Sequence, residues 1–170
     1  KTDIQRLPAL ISDTDFVVHL AGENRPKDHT AFKKVNTDLT KILCEALVTE
    51  HQKTGRKVSL ILASSAQAVQ DNPYGHSKAE AENISLNYSK ITGAKTYIYR
   101  LPNVFGKWCK PNYNSVIATF CYNIVNKLPI TITKKDNPLS IVYVDDVCNS
   151  FINLIKNDAV VGYKTVSPVY

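Results

Sequence analysis

The chain has 170 residues, 44% of them apolar and 21% charged, with a formal net charge of +6. That length carries one domain with a real core, and the absence of any run of about eighteen apolar residues excludes a membrane-spanning helix. The lysines are scattered among Asp and Glu with no basic block and no interleaved aromatics, which argues against a nucleic-acid partner and suits long-range steering of a small dianionic ligand.

In chain order, Phe16-Val-Val-His-Leu-Ala21 reads as a buried strand closed by Gly22. From His29 to about Gln52, apolar residues fall at Phe32, Val35, Leu39, Ile42, Leu43, Ala46 and Leu47, which is helical spacing. Val58-Ser-Leu-Ile-Leu-Ala63 is a second buried strand, followed by Ser64 and Ser65. Tyr74 to about Ile91 has helical composition, with Gly93 placed to cap its end. Thr96–Arg100 is a third strand. Gly106–Ser115 is the longest loop, and Val116–Lys127 is a helix stopped before Pro129. Ile130–Thr133 and Leu139–Val144 are expected as short strands, Asp145–Lys156 as a helix with two acids at its positive end, and Tyr163–Ser167 as a last strand.

Strands alternating with helices predict an α/β fold with a parallel sheet. Ligands of such sheets bind beyond the carboxyl ends of the strands. Gly22-Glu-Asn-Arg-Pro26, the Ser64-Ser65 segment and Arg100-Leu-Pro-Asn103 are all expected at such ends, around one crevice. The four cysteines, Cys44, Cys109, Cys121 and Cys148, have no metal-ligand spacing. They are expected to be buried reduced thiols in a cytoplasmic protein, and no metal site is expected in this chain.

The chemistry concentrates in Tyr74 and Lys78. Residues four apart share a helix face, so the ammonium is expected beside the phenol. A neighbouring cation stabilises a phenolate and makes a phenol usable in acid–base work. A serine hydroxyl at the preceding strand end then orients a substrate oxygen. Tyr-x-x-x-Lys alone is weak evidence, since most such pairs are surface neighbours.

Taken together, six ordered pieces are specific. Val18-His-Leu-Ala-Gly22, Asn36, Ser64-Ser65, Tyr74-x-x-x-Lys78, Arg100-Leu-Pro-Asn-Val-Phe-Gly106 and Val142-Tyr-Val-Asp-Asp146 resemble the extended short-chain dehydrogenase/reductases, also called the NAD-dependent epimerase/dehydratase family. "QDNPYGHSK", "FGKWCKPNYNSVIATFCY" and "YVDDV" are similar to the reductase domain of bifunctional capsular-polysaccharide enzymes of UDP-N-acetyl-L-fucosamine synthesis. The resemblance implies a Rossmann-type parallel sheet flanked by helices, with a small C-terminal substrate-binding portion. It implies reduction of the C4 ketone of a UDP-4-keto-6-deoxy-N-acetylhexosamine with NADPH, NAD being the other candidate, and a homodimer. Any metal would belong to the C-terminal cupin domain of such enzymes.

Carried over residue by residue, the resemblance makes Ser65, Tyr74 and Lys78 catalytic, with Tyr74 as proton donor. Lys78 also binds the nicotinamide ribose. Leu20, Ala21 and Gly22 pass the cofactor, as do Leu101 and Pro102. Asn103 meets the diphosphate, Asn114 the uridine and Arg25 the sugar or pyrophosphate.

Several of these residue types have plainer readings. Asn36 is expected to be a structural hydrogen-bonding residue, His19 a satisfied core histidine, and His76 exposed. Asp145 and Asp146 are expected to cap a helix. Trp108 is either a loop anchor or a stacking platform, and Arg25 could simply pair with Glu23.

One family feature is missing. Glycines stand at 22, 55, 75, 93, 106 and 162, too far apart for the glycine-rich turn that cradles a pyrophosphate. That turn is expected before Lys1 and the cupin domain beyond Tyr170. The chain is then either a piece of a longer enzyme or a remnant that no longer binds cofactor, and the intact Ser65, Tyr74, Lys78 and Asn103 favour the piece. Tyr74 follows Ser65 by only nine positions, a short link where the resemblance leads one to expect a longer loop. Two alternatives stay open: an NAD-dependent nucleotide-sugar epimerase or dehydratase, and a non-catalytic dinucleotide-sensing protein of the same fold. Dehydration is disfavoured because Ala66–Pro73 holds a single acid, Asp71.

Overall fold

The computed structural model describes residues 4–132, 138–157 and 160–167. The described residues form two compact units, one of residues 4–100 with 160–165 and one of residues 101–132 and 138–157 with 166–167.

The first unit opens with a short helix, α1 (Leu7–Ile11), that the sequence reading did not anticipate. Its sheet has the order β1-β2-β3-β6: β1 (Phe16–His19), β2 (Ser59–Ser65), β3 (Thr96–Leu101) and β6 (Gly162–Lys164). β1 pairs parallel with β2 from Phe16↔Ser59 to His19↔Leu62, and β3 pairs parallel with β6. Leu60, Ile61 and Leu62 of β2 are at most 1% exposed. Covered on both faces, β2 therefore reads as an unbroken apolar run.

Between β1 and β2 the chain is helical from Thr30 to Thr54, with an interruption. α2 (Thr30–Phe32) and α3 (Leu39–Thr54) flank a π-helical stretch, Lys33–Asp38. Gly55 ends α3 in the left-handed conformation, φ 73°, which glycine enters without steric cost. Ser65 then opens a 3-10 turn, Ala66–Val69. α4 (Pro73–Thr92) starts where the Asn72 side chain accepts from the Gly75 N–H, and Gly93 closes it as expected. α1, α3 and α4 bury Ile11, Leu43, Leu47 and Tyr88 against Val58 and Leu60. The Tyr88 hydroxyl donates to the Val58 carbonyl at 2.6 Å, so its polar tip is satisfied inside that core.

The second unit holds a two-stranded parallel sheet, β4 (Asn103–Phe105) with β5 (Ile141–Tyr143). α5 (Val116–Val125) is capped by Ser115, whose hydroxyl accepts from the Ala118 N–H. α6 (Val144–Lys156) buries Val147, Phe151 and Leu154, one stripe at helical spacing.

Several expectations are corrected. β1 stops at His19, leaving Leu20 and Ala21 outside the strand, while β2 extends through both serines. Ile130–Ile132 forms no regular element, and Thr133 lies outside the described residues. Asp145 and Asp146 occupy the first turn of α6, but no side chain caps that helix. Asp145 instead pairs with Lys107 at 2.7 Å. Of the four free cysteines, only Cys44 is buried.

Candidate active site

The ends of β1 and β2 and the first turns of α4 meet in the first unit. Tyr74 sits half-buried at the second position of α4, its ring 5.7 Å from that of Phe32. Lys78, one turn on, is 4% exposed, and its ammonium donates to the Ala63 carbonyl of β2 at 2.7 Å. An ammonium has three donors, and among the described residues one bond of Lys78 is seen, which leaves two for a ligand. Burial pulls the Lys78 pKa down to about 8, opposed by the negative charge of Glu82. At neutral pH the group is still a cation, desolvated and beside the phenol-bearing turn.

Ser65 is 9% exposed and its hydroxyl oxygen accepts from the Gln67 N–H at 3.1 Å. Its own proton remains able to point at a substrate oxygen. Ser64 points elsewhere: its hydroxyl donates to Glu82. Neighbouring strand residues alternate faces, so the two serines cannot share a role.

Gly22 lies near the Lys78 ammonium. A Cβ built there would sit 3.3 Å from Asn36 Oδ1 and 3.8 Å from Lys78 Nζ. Any side chain would fill the space above the ammonium, so the bare backbone leaves room for a flat ligand to approach. Asn36 fixes this loop: its amide nitrogen donates to the Glu23 carbonyl and to Ser77 Oγ, both at 2.9 Å, and its oxygen accepts from the Glu23 N–H at 2.8 Å. It is the structural asparagine expected.

His19 is the expected core histidine, bonded to Thr40 Oγ1 at 2.9 Å. Burial, helped by the Lys78 charge, lowers its pKa to about 4. His76 is exposed, as expected, and pairs with Asp71 at 2.9 Å.

The remaining candidates are spread more widely. Leu20 is 64% exposed, and Ala21 is also exposed. Arg25 is exposed, and its backbone N–H, with that of Asn24, donates to the Glu23 carboxylate. Leu101 ends β3 and Pro102 follows it, both half-buried. Asn103 and Asn114 belong to the second unit. Asn103 Nδ2 donates to the Ser140 carbonyl at 3.0 Å. Asn114 lines an open cavity of about 380 Å³ with Lys107, Trp108, Lys110 and Tyr113. Trp108 is 99% exposed at φ 68°, so it anchors no loop.

Sequence reasoning missed Glu82. It lies one turn beyond Lys78, is 1% exposed, and is held by Arg100 Nε and Nη2, by Ser64 and by Tyr163. Its spacing from Tyr74 and Lys78 was the available signal. An acid at 82 continues the same helix face.

Comparison with known proteins bears on the family and the fold. The sequence profile of the NAD dependent epimerase/dehydratase family matches residues 1–166. A UDP-2-acetamido-2,6-beta-L-arabino-hexul-4-ose reductase of Pseudomonas aeruginosa is 44% identical over 155 residues, 91% of this chain and 41% of that protein. The crystal structure of the capsular polysaccharide assembling protein CapF from Staphylococcus aureus is 40% identical, with a TM-score of 0.80 over 98% of this chain and 44% of its own. A UDP-glucuronic acid 4-epimerase from Bacillus cereus, solved with NAD, shares the fold at 20% identity, with a TM-score of 0.81 over 97% of this chain and 58% of its own. The chain thus spans less than half the length of the reductase and of CapF.

Proposed function

The chain belongs to the NAD dependent epimerase/dehydratase family, and from that premise we propose that it carries the proton-transfer site of an NADPH-dependent reductase acting on the C4 ketone of a UDP-4-keto-6-deoxy-N-acetylhexosamine. The observation that carries the reading is the buried Lys78 ammonium, tied to the end of β2 one turn from Tyr74 and under the bare backbone of Gly22. The 44% identity to a hexul-4-ose reductase supports reduction over epimerisation.

The cofactor, when bound, supplies hydride to the ketone carbon; the chain supplies the rest. Tyr74 gives its phenolic proton to the C4 oxygen as charge develops there. Lys78 holds its positive charge beside the forming phenolate and offers two free N–H donors to ribose hydroxyls. Ser65 donates to the same ketone oxygen and orients it. Leu20, Ala21, Gly22, Leu101 and Pro102 give the cofactor passage. Asn103 serves the diphosphate, Asn114 the uridine and Arg25 the sugar. The exposed Trp108 and Lys110 beside Asn114 fit an anionic, aromatic ligand end. Two copies pairing through α3 and α4 belong to the same reading.

Tyr74→Phe in the full-length protein tests it. Turnover of NADPH with the UDP-4-keto sugar should fall by roughly two to four decades, with cofactor affinity nearly unchanged. Near-normal turnover removes Tyr74 from the mechanism.

A further inference from the structure

Tyr74, Lys78 and Glu82 are spaced by four along α4, a single face of one helix. Lys78 and Glu82 grip two successive residues of β2: the ammonium takes the Ala63 carbonyl, and the carboxylate takes the Ser64 hydroxyl. Ser65 is the next residue. Glu82 is itself clamped. Arg100 of β3 donates to it through Nε at 3.0 Å and Nη2 at 2.6 Å, and Tyr163 of β6 donates at 3.3 Å. The Arg100 guanidinium lies 4.5 Å over the Tyr163 ring, which orients it further.

A carboxylate–guanidinium pair taken out of water often adds no stability over apolar packing of the same volume; here Glu82 is buried and Arg100 half-buried. This one joins three strands to the turn of α4 that follows the candidate catalytic lysine. We propose that Glu82 is a positioning residue: locked by Arg100, Ser64 and Tyr163, it holds the Lys78 ammonium and the Ser64–Ser65 strand end in register with Tyr74. The inference rests on the reductase reading for its purpose, but the coupling itself is a property of this unit.

The groups around Lys78 define the coupling. Neutral His19 faces it from β1, the Ala63 carbonyl from β2 and Glu82 from α4 itself; Asn36 reaches the same space beside Gly22. Glu82 is the negative side chain that acts on Lys78, and its effect is to keep the ammonium charged against burial.

The test uses the full-length protein with 13C in lysine Cε and glutamate Cδ, Lys78→Arg and Glu82→Gln serving as assignment controls. In the unmutated protein Lys78 should titrate near pH 8, and the Glu82 carboxyl resonance should inflect at the same pH. In Glu82→Gln the Lys78 midpoint should drop by about one pH unit, a tenfold loss of proton affinity. If the single variant does not fold, the E82Q/R100Q double variant removes both charges without orphaning either and should show a smaller drop of the same sign. A Lys78 midpoint unchanged in a folded variant, or a Glu82 resonance flat through the Lys78 titration, overturns the proposal and leaves Glu82 a fold-stabilising residue only. With NADPH and the UDP-4-keto sugar, the alkaline limb of the kcat/KM profile should move with the Lys78 midpoint. If the unmutated protein turns over no such sugar, the reductase reading fails while the two resonance titrations still decide the coupling.

Discussion

At the scale of single residues, the site is a set of buried polar groups whose neighbours decide their charge. His19 illustrates this beside Lys78. Both are desolvated in the folded chain, and each would repel the other if both were charged. The histidine yields: its pKa falls to about 4 in the fold against 6.5 for the free group. The sign follows. The unfolded chain takes up a proton as pH drops through 6.5 and the folded chain does not, so the stability lent by a neutral His19 is complete above that value. It is lost progressively as pH falls toward 4. Between pH 7 and pH 5 this single group should cost about 2 kcal/mol. Urea unfolding at the two pH values should therefore show the unmutated protein losing about 2 kcal/mol more than a His19→Gln variant, whose amide keeps a bond to Thr40. Equal losses in the two proteins would show that His19 charges freely in the fold.

At the scale of elements, what was legible in the sequence is what local chemistry determines. β2 announced itself by an apolar run, and α4 by its closing Gly93. The Tyr74–Lys78 spacing was readable because it depends only on helix geometry. Features set by distant partners were not readable. The π-helical turn Lys33–Asp38 turns Asn36 toward partners 13 and 41 residues away, Glu23 and Ser77, and nothing local demands it. β4 and β5 are three residues each and exist as strands only through each other, while Ile130–Ile132, part of the expected strand Ile130–Thr133, forms no strand among the described residues. Glu82 was hidden because Arg100 and Tyr163 come from two other strands. The junction before α4 shows how tightly such long-range fits can be drawn. A Cβ on Gly75 would come within 2.5 Å of the Gln67 carbonyl oxygen and closer still to that of Gln70. These are backbone atoms of the 3-10 turn and of the residue that ends it, so neither can swing away. Elsewhere in a helix interior glycine to alanine gains about 1 kcal/mol. Here the overpacking should reverse the sign, and Gly75→Ala should destabilise by about 1–3 kcal/mol. A thermal melt showing Gly75→Ala as stable as the unmutated protein would mean that the turn gives way. Because Tyr74 is the preceding residue, the same change should also lower turnover.

At the scale of the whole molecule, the catalytic candidates and the cofactor requirement divide unevenly along the sequence. In the proposed reading Ser65, Tyr74, Lys78 and Gly22, all of the first unit, serve the reacting end of a nicotinamide. The other end of a dinucleotide needs closely spaced glycines, so that backbone N–H groups can reach the pyrophosphate. The nearest two glycines in this chain, Gly93 and Gly106, are thirteen residues apart and flank β3 rather than open a helix. The net charge of +6 steers an anion toward the surface, yet steering raises encounter rates without building a specific cradle. The 170 residues by themselves should therefore hold NADPH poorly, and whatever weak attraction they show should be electrostatic and vanish with salt. Isothermal titration of the isolated chain with NADPH at about 0.15 M salt should give no saturable binding in the micromolar range. Micromolar, salt-insensitive binding would mean that the nicotinamide end alone supplies most of the affinity, and that Gly22 and the two spare donors of Lys78 hold the cofactor without a glycine-rich turn.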